Sequence, residues 1–214
     1  EKLSNYSGKM KPGTYLLSTA YTPNRIMGIL AGDALLNYAY EVMTSAVCAA
    51  SPENMKNCAG AAAVIARKAG IFGMVGGQSL DVLLTDKPVN EKEMEFIFNL
   101  KTGALIEAAF MAGAILAGAG KECVSQLEKA GNLVGVAFQI KDDILDVTST
   151  QEVLGKPVFS DEKNNKTTYV TLYGMEKAAA DVENMSEKAE SIVKSIGDNE
   201  FLIELINKLI SREK

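Results

Sequence analysis

The chain has 214 residues, 47% apolar and 23% charged, an ordinary globular balance that is long enough for one good core. Its lysines and arginines number 22 against 27 acids, and 22 − 27 = −5 argues against a nucleic-acid surface while leaving open a local basic pocket for a small anion. Histidine is absent, which excludes Ser-His-Asp and Cys-His catalysis and every histidine-containing metal site.

In chain order, Ser7-Gly8-Lys9-Met10-Lys11-Pro12-Gly13 reads as a loop carrying two positive charges. An apolar segment opens at Tyr15-Leu16-Leu17 and stops at Thr22-Pro23-Asn24. Residues 25–49 place Ile26, Ile29, Leu30, Leu36, Ala39, Tyr40 and Met43 near the helical period. Asn24 reads as the cap, and Asp33 lies inside the apolar pattern, where it needs a partner or water. Ser51-Pro52 reads as the start of a second helix that runs to residue 69 and stops at Gly70. The stretch 74–84 follows, with Gln78 and Asp81 three apart on one face.

Asp86-Lys87-Pro88 is a turn, and Asn90 and Glu93 have capping-box spacing ahead of a helix over 91–100. Lys101-Thr102-Gly103 reads as the opening of a helix of small residues through 118, built for close helix approach. The longest apolar run, 108–120, is thirteen residues long, and a bilayer needs roughly 20, so no transmembrane segment is expected. Residues 121–147 read as one long helix, and 148–166 as a loop or lid bearing Lys156, Lys163 and Lys166. Residues 167–172 are ambiguous between strand and helix. Residues 175–195 and 199–211 are amphipathic helices separated by Gly197. The fold expected is an all-α, single-domain helical bundle over 1–214. Cys48, Cys58 and Cys123, odd in number and without Cys-x-x-Cys spacing, read as reduced, buried small residues of a cytoplasmic protein.

Chemistry concentrates in Phe138-Gln139-Ile140-Lys141-Asp142-Asp143-Ile144-Leu145-Asp146. Three carboxylates in an apolar helical run repel one another, and burial raises the cost of ionising them. Asp142 and Asp146 lie one turn apart, with Asp143 to one side. A divalent cation relieves this; magnesium takes one or two such oxygens and completes its shell with water and phosphate. A polar helix end is the bland alternative. Lys101, Thr102, Gln78, Asp81 and the lysines after the acids add cations and dipoles suited to a diphosphate. Singly, each reads equally as a cap, a surface pair or a solvated lysine.

In combination, Gly77-Gln78-Ser79-Leu80-Asp81, Lys101-Thr102-Gly103, the acidic stretch, Gly155-Lys156-Pro157 and Asn165-Lys166-Thr167-Thr168 resemble the trans-isoprenyl diphosphate synthases, most of all bacterial farnesyl or geranylgeranyl diphosphate synthases. Gly32-Asp33-Ala34-Leu35-Leu36 is similar as well. The resemblance implies a helical bundle of the isoprenoid synthase type, usually a homodimer, around a deep central cavity. It implies a magnesium-dependent prenyltransferase joining an allylic diphosphate to isopentenyl diphosphate, with a product of ten to twenty carbons. It assigns Asp142, Asp143 and Asp146 to magnesium. Lys101, Thr102 and Gln139 become catalytic; Lys9, Gln78, Asp81, Lys156 and Lys166 bind substrate, Lys9 resembling the lysine for isopentenyl diphosphate. A class I terpene cyclase, or a non-catalytic partner subunit of a prenyl synthase, is the alternative.

The chain departs from the family in several places. The first aspartate-rich motif and the paired arginines after it are not found where they belong, between Tyr21 and Arg25. The amino-terminal loop is one residue short, with Lys11 where arginine is usual, and Phe159 stands where the lid usually has glycine. The expectation is that segments are missing near 10–11 and 21–25, with wide Cα separations there.

Overall fold

A computed structural model gives the structure, which describes residues 23–148, 167–197 and 199–212. The expected wide Cα separations, the amino-terminal loop, Phe159 and the lysine-bearing lid lie outside the described residues, except that Pro23 and Asn24 fall within a helix.

The chain divides into two compact units, 1–50 and 51–214. In the first, helix α1 spans Pro23–Ala49. Proline suits a first helical turn because its missing N–H would be unpaired there anyway. The helix is apolar on several sides, and Ile26, Ile29, Leu30 and Leu35 are exposed. Asp33 is exposed too, so its carboxylate meets water rather than a buried partner.

In the second unit α2 is Met55–Ala69, α3 Met74–Leu83 and α4 Glu91–Ile97. A π-helical turn, Phe98–Gly103, joins α4 to α5, Ala104–Leu116. Then come α6 (Lys121–Thr148), α7 (Tyr169–Tyr173), α8 (Met175–Ile196) and α9 (Glu200–Ser211). Every regular element among the described residues is helical. The fold is therefore all-α, as expected.

Helix α6 is the axis of the second unit and packs against α5, α8, α9 and the π turn. Its Leu127, Ala130 and Val134 meet Ala114, Ala189, Val193 and Ile206 in one core cluster. One end further on, Ile140 meets Met94, Ile97, Phe98, Ala178 and Val182 in another. Val134, Ile140, Val193 and Ile206 are fully buried, and each such side chain contributes about 1.5–3 kcal/mol.

Local signals held where they are self-contained. Helix α2 ends at Gly70, whose N–H closes on Ala66 and Arg67 carbonyls. Asn90 and Glu93 form a reciprocal capping box. The ambiguous 167–172 segment is helical, because Thr168 and Thr171 cap it reciprocally. Three expectations are corrected. Helix α2 begins at Met55 rather than at Ser51-Pro52; the Ser51 carbonyl accepts the N–H groups of Asn54 and Met55 in a preceding turn. Lys101 does not start a helix, since 91–116 is continuous through the π turn. The cysteines are free but not buried: Cys48 is exposed and the other two are half-buried.

The stretches Met55–Leu83 and Glu91–Leu116 are apolar and long enough to cross a membrane, a length that counting the 108–120 run alone did not reveal. The first breaks between α2 and α3 at Gly70–Gly73, and the second carries core residues and the buried Glu107.

Candidate active site

Two close backbone approaches build the site. A Cβ on Gly77 would lie 2.3 Å from the Lys101 nitrogen, so only glycine lets α3 rest on the π turn. One turn beyond Gly77, Asp81 then faces Lys101, and Lys101 Nζ donates to Asp81 Oδ2 at 2.5 Å. On the other side, a Cβ on Gly135 of α6 would lie 2.5 Å from Gly103 Cα. Gln139, one turn beyond Gly135, consequently reaches Thr102, whose Oγ1 donates to Gln139 Oε1 at 3.0 Å.

From Gln139 the network runs to the acids. Gln139 Nε2 lies 3.5 Å from Asp143 Oδ1, the outer limit of a hydrogen bond. Asp143 Oδ2 accepts the Tyr169 backbone N–H at 2.7 Å, at the first turn of α7, where an anion is favoured. Burial, then the hydrogen bond that the Tyr169 hydroxyl donates to Asp181 at 2.6 Å, pushes the Tyr169 phenol above its ordinary value. Asp143 is 5% exposed and Asp146 2%.

Asp142 is placed differently. Arg212, just past α9, donates to Asp142 Oδ1 at 2.5 Å and to the Phe138 carbonyl at 3.1 Å, with its guanidinium 3.5 Å over the Phe138 ring. Arg212 Nε is buried with no hydrogen-bond partner among the described residues. The sequence reading missed Arg212. Nothing local marks it, because 70 residues separate it from Asp142.

The structure thus brings together Asp81, Lys101, Thr102, Gln139 and Asp143, on α3, the π turn and α6. Asp142 and Asp146 follow on α6. Gln78 is not gathered in: it makes no hydrogen bond among the described residues and does not line the small cavity at this junction. Lys9, Lys156 and Lys166 lie outside the described residues. The cavity bounded by Asp81, Lys101, Gln139, Asp143 and Thr168 holds about 20 Å³, room for one water. Larger clefts of about 680 and 500 Å³ lie elsewhere, at Glu128–Lys188 and at Tyr169–Tyr173. The deep cavity implied by the resemblance is not lined by these site residues among the described ones.

The donor set is tested against magnesium by its chemistry. No group of three or more metal-ligating side chains gathers among the described residues, so they form no complete cage. Magnesium does not need one: one or two carboxylates suffice when phosphate oxygens and water complete the shell. The hard oxygens of Asp142, Asp143 and Asp146, on successive turns of one helix, suit that role.

Comparison with known proteins gives a consistent picture. A family model described as polyprenyl synthetase matches residues 18–206. Farnesyl diphosphate synthase of Geobacillus stearothermophilus is 38% identical over 161 residues, covering 73% of this chain and 54% of that protein. Dimethylallyltranstransferase of Fischerella ambigua is 35% identical over 189 residues, covering 87% of this chain and 54% of that one. Geranylgeranyl pyrophosphate synthetase from Pyrococcus horikoshii superposes with a TM-score of 0.74 at 28% identity, covering 92% of this chain and 72% of that structure. Geranyltransferase from Helicobacter pylori, complexed with magnesium and isoprenyl diphosphate, also superposes at 0.74, with 27% identity over 88% of this chain and 61% of that structure. The chain spans about half the length of the curated relatives it matches.

Proposed function

This chain belongs to the polyprenyl synthetase family, and we propose that it takes part in joining an allylic diphosphate to isopentenyl diphosphate, giving an isoprenyl diphosphate of ten to twenty carbons. The observation that carries this reading is the convergence of Asp81–Lys101 and Thr102–Gln139–Asp143 across three helices.

The carbon–oxygen bond of the allylic diphosphate breaks heterolytically, and the electron pair leaves with diphosphate. Asp142, Asp143 and Asp146 would hold magnesium, which supplies positive charge to the leaving oxygens when bound. Lys101, oriented by Asp81, adds a fixed cation at the same side. Thr102 donates a hydrogen bond to Gln139 Oε1, and the remaining lone pairs on both side-chain oxygens would serve as negative dipole ends for the allylic cation. Apolar walls keep water from quenching that cation. The double bond of isopentenyl diphosphate attacks it, a carbon–carbon bond forms, and the proton lost in closing the new double bond passes to the released diphosphate. No histidine is required, which agrees with a chain that has none. The assembly belonging to this reading is a homodimer.

The test is incubation of the full chain with magnesium, isopentenyl diphosphate and an allylic diphosphate, followed by product analysis. Longer isoprenyl diphosphates are expected. Hydrocarbon products would reassign it as a terpene cyclase, and no turnover alone together with stimulation of an added synthase above that synthase's own rate would make it a partner subunit.

A further inference from the structure

Behind the π turn runs a chain of polar groups that takes no part in the chemistry above. Glu107, 6% exposed, sits in the first turn of the apolar α5. Lys68 of α2 donates to Glu107 Oε2 and, at 2.7 Å, to Glu128 Oε1 of α6. Burial alone would lower the Lys68 pKa, but the hydrogen bonds to Glu107 and Glu128 and their charges outweigh it and hold it above the ordinary lysine value. Asn132, one turn beyond Glu128, uses both protons of its amide. Its Nδ2 donates to Glu107 Oε1 at 2.7 Å and to Asn99 Oδ1 at 2.9 Å. Asn99 lies within the π turn.

Two glycines bring these short side chains within reach. A Cβ on Gly131 would lie 2.8 Å from Glu107 Cα, and one on Gly135 2.5 Å from Gly103 Cα. Helix α6 therefore runs backbone-close along α5 and the π turn, and the Asn132 side chain needs to bridge only a short gap. A Cβ on Gly103, the last residue of the turn, would lie 3.6 Å from Asn132 Nδ2 and 3.8 Å from Glu107 Oε1, so the network wraps the end of the turn.

A π turn holds one residue more than an α turn, has poorer intrinsic stability, and persists where surrounding contacts support it. That extra residue rotates the chain on one side of it by about 100° relative to the other. Which way Lys101 and Thr102 face depends on it. We propose that Asn132 is a positioning residue: by tying Asn99 to Glu107 it holds the π turn open, so that Lys101 meets Asp81 and Thr102 meets Gln139. This rests on the reading of Lys101 and Thr102 as part of a diphosphate site.

The test measures calorimetric binding of inorganic pyrophosphate with magnesium to the full chain, beside melting temperatures. N132D sets a second acid against Glu107 and removes both donated bonds. Its pyrophosphate affinity falls roughly tenfold, the size expected for one misplaced charge-assisted hydrogen bond. The double variant E107Q/N132D exchanges acid and amide between α5 and α6 at constant charge. The amide on α5 then donates to the acid on α6, Asn99 flips to donate as well, and Lys68 keeps Glu128. Affinity returns to within about threefold of the wild type.

N99A removes only the bond to the turn and leaves Lys68–Glu107–Asn132 in place, so it gives the affinity loss with little change in melting temperature even if N132D does not fold. Lowered melting temperatures with wild-type affinity in N132D or N99A would overturn the proposal, leaving the network a structural brace. A folded double variant that does not recover affinity overturns it as well. A wild-type chain that binds no pyrophosphate with magnesium overturns the diphosphate reading itself, and this inference with it.

Discussion

The two ends of α6 handle buried charge in opposite ways. Toward the amino-terminal end, Glu128 and Asn132 belong to a closed network in which Lys68 lies between two glutamates and one amide satisfies two acceptors. Toward the carboxy-terminal end, Asp142 and Asp143 are held by separate means: a guanidinium for Asp142, and a backbone N–H and a glutamine for Asp143. The first end is arranged to stay as it is. The second spreads its acids over several different donors, and it is the end to which the proposed magnesium role is assigned. On the proposed function the same helix carries stability at one end and chemistry at the other, and substitutions at the two ends should separate those quantities.

The sharpest separation is Asp143→Asn. The side chain keeps its shape and one oxygen for the Tyr169 N–H, so the fold is expected to be retained, which a melting curve checks. Removing the charge should lower turnover by about 10³-fold, the scale of a lost electrostatic contributor to a charged transition state. Steady-state turnover and a magnesium titration check it. Turnover within a few-fold of wild type, with unchanged magnesium dependence, would erase the distinction between the two ends.

How much of this was legible in the sequence follows the same division. Asn90 and Glu93 announced their capping box because both partners lie within one turn. The acids at 142, 143 and 146 stood out because carboxylates in an apolar helical run need an explanation. Thr102 and Gln139 could be paired only through the family resemblance, since 37 residues separate them. The Glu107 network was invisible: its bonds join residues 25, 33, 39 and 60 apart, and a single glutamate in an apolar run looks like an interruption. The π turn was misread for a physical reason. Lys101-Thr102-Gly103 carries a glycine and a cation at what local rules mark as a boundary, whereas contacts with Gly77 and Gly135 carry the helix through. Gln78 shares a helix with Asp81, but of the two only Asp81 bonds across the gap among the described residues.

At the structural end, Lys68→Met keeps the aliphatic bulk and removes the charge shared by Glu107 and Glu128. A fully buried partner lost in this way costs roughly 3–5 kcal/mol, and with water reaching Lys68 the expectation is about 2 kcal/mol. The pH dependence has a definite sign. Because Lys68 is held above its ordinary value of 10.5, its contribution is fully present below that pH and is lost as pH rises through the raised value. The gap between wild type and variant in denaturant midpoint should be level from neutral pH to near 10.5 and close above it. A gap that closes near neutrality would show that this charge does not anchor the network. Magnesium dependence should stay as in the wild type, in contrast with Asp143→Asn.

The smallest effect is expected where the two behaviours meet, at Thr168. Its hydroxyl accepts the Thr171 N–H at 3.2 Å and caps α7, a helix of five residues too short to persist through its own hydrogen bonds. That cap also sets the position of the Tyr169 N–H that reaches Asp143. Thr168→Ala removes a buried capping oxygen and should cost about 1 kcal/mol, while Thr168→Ser, which keeps it, should cost less. Turnover of the alanine variant should fall by no more than about tenfold, because Asp143 retains Gln139 and its place on α6 after one hydrogen bond is weakened. The comparison turns on the ratio of the two losses. A variant that loses stability and keeps turnover places α7 with the braced end of the molecule, whereas a turnover loss approaching that of Asp143→Asn would mean that the Tyr169 N–H, more than the helix bearing the acids, fixes Asp143.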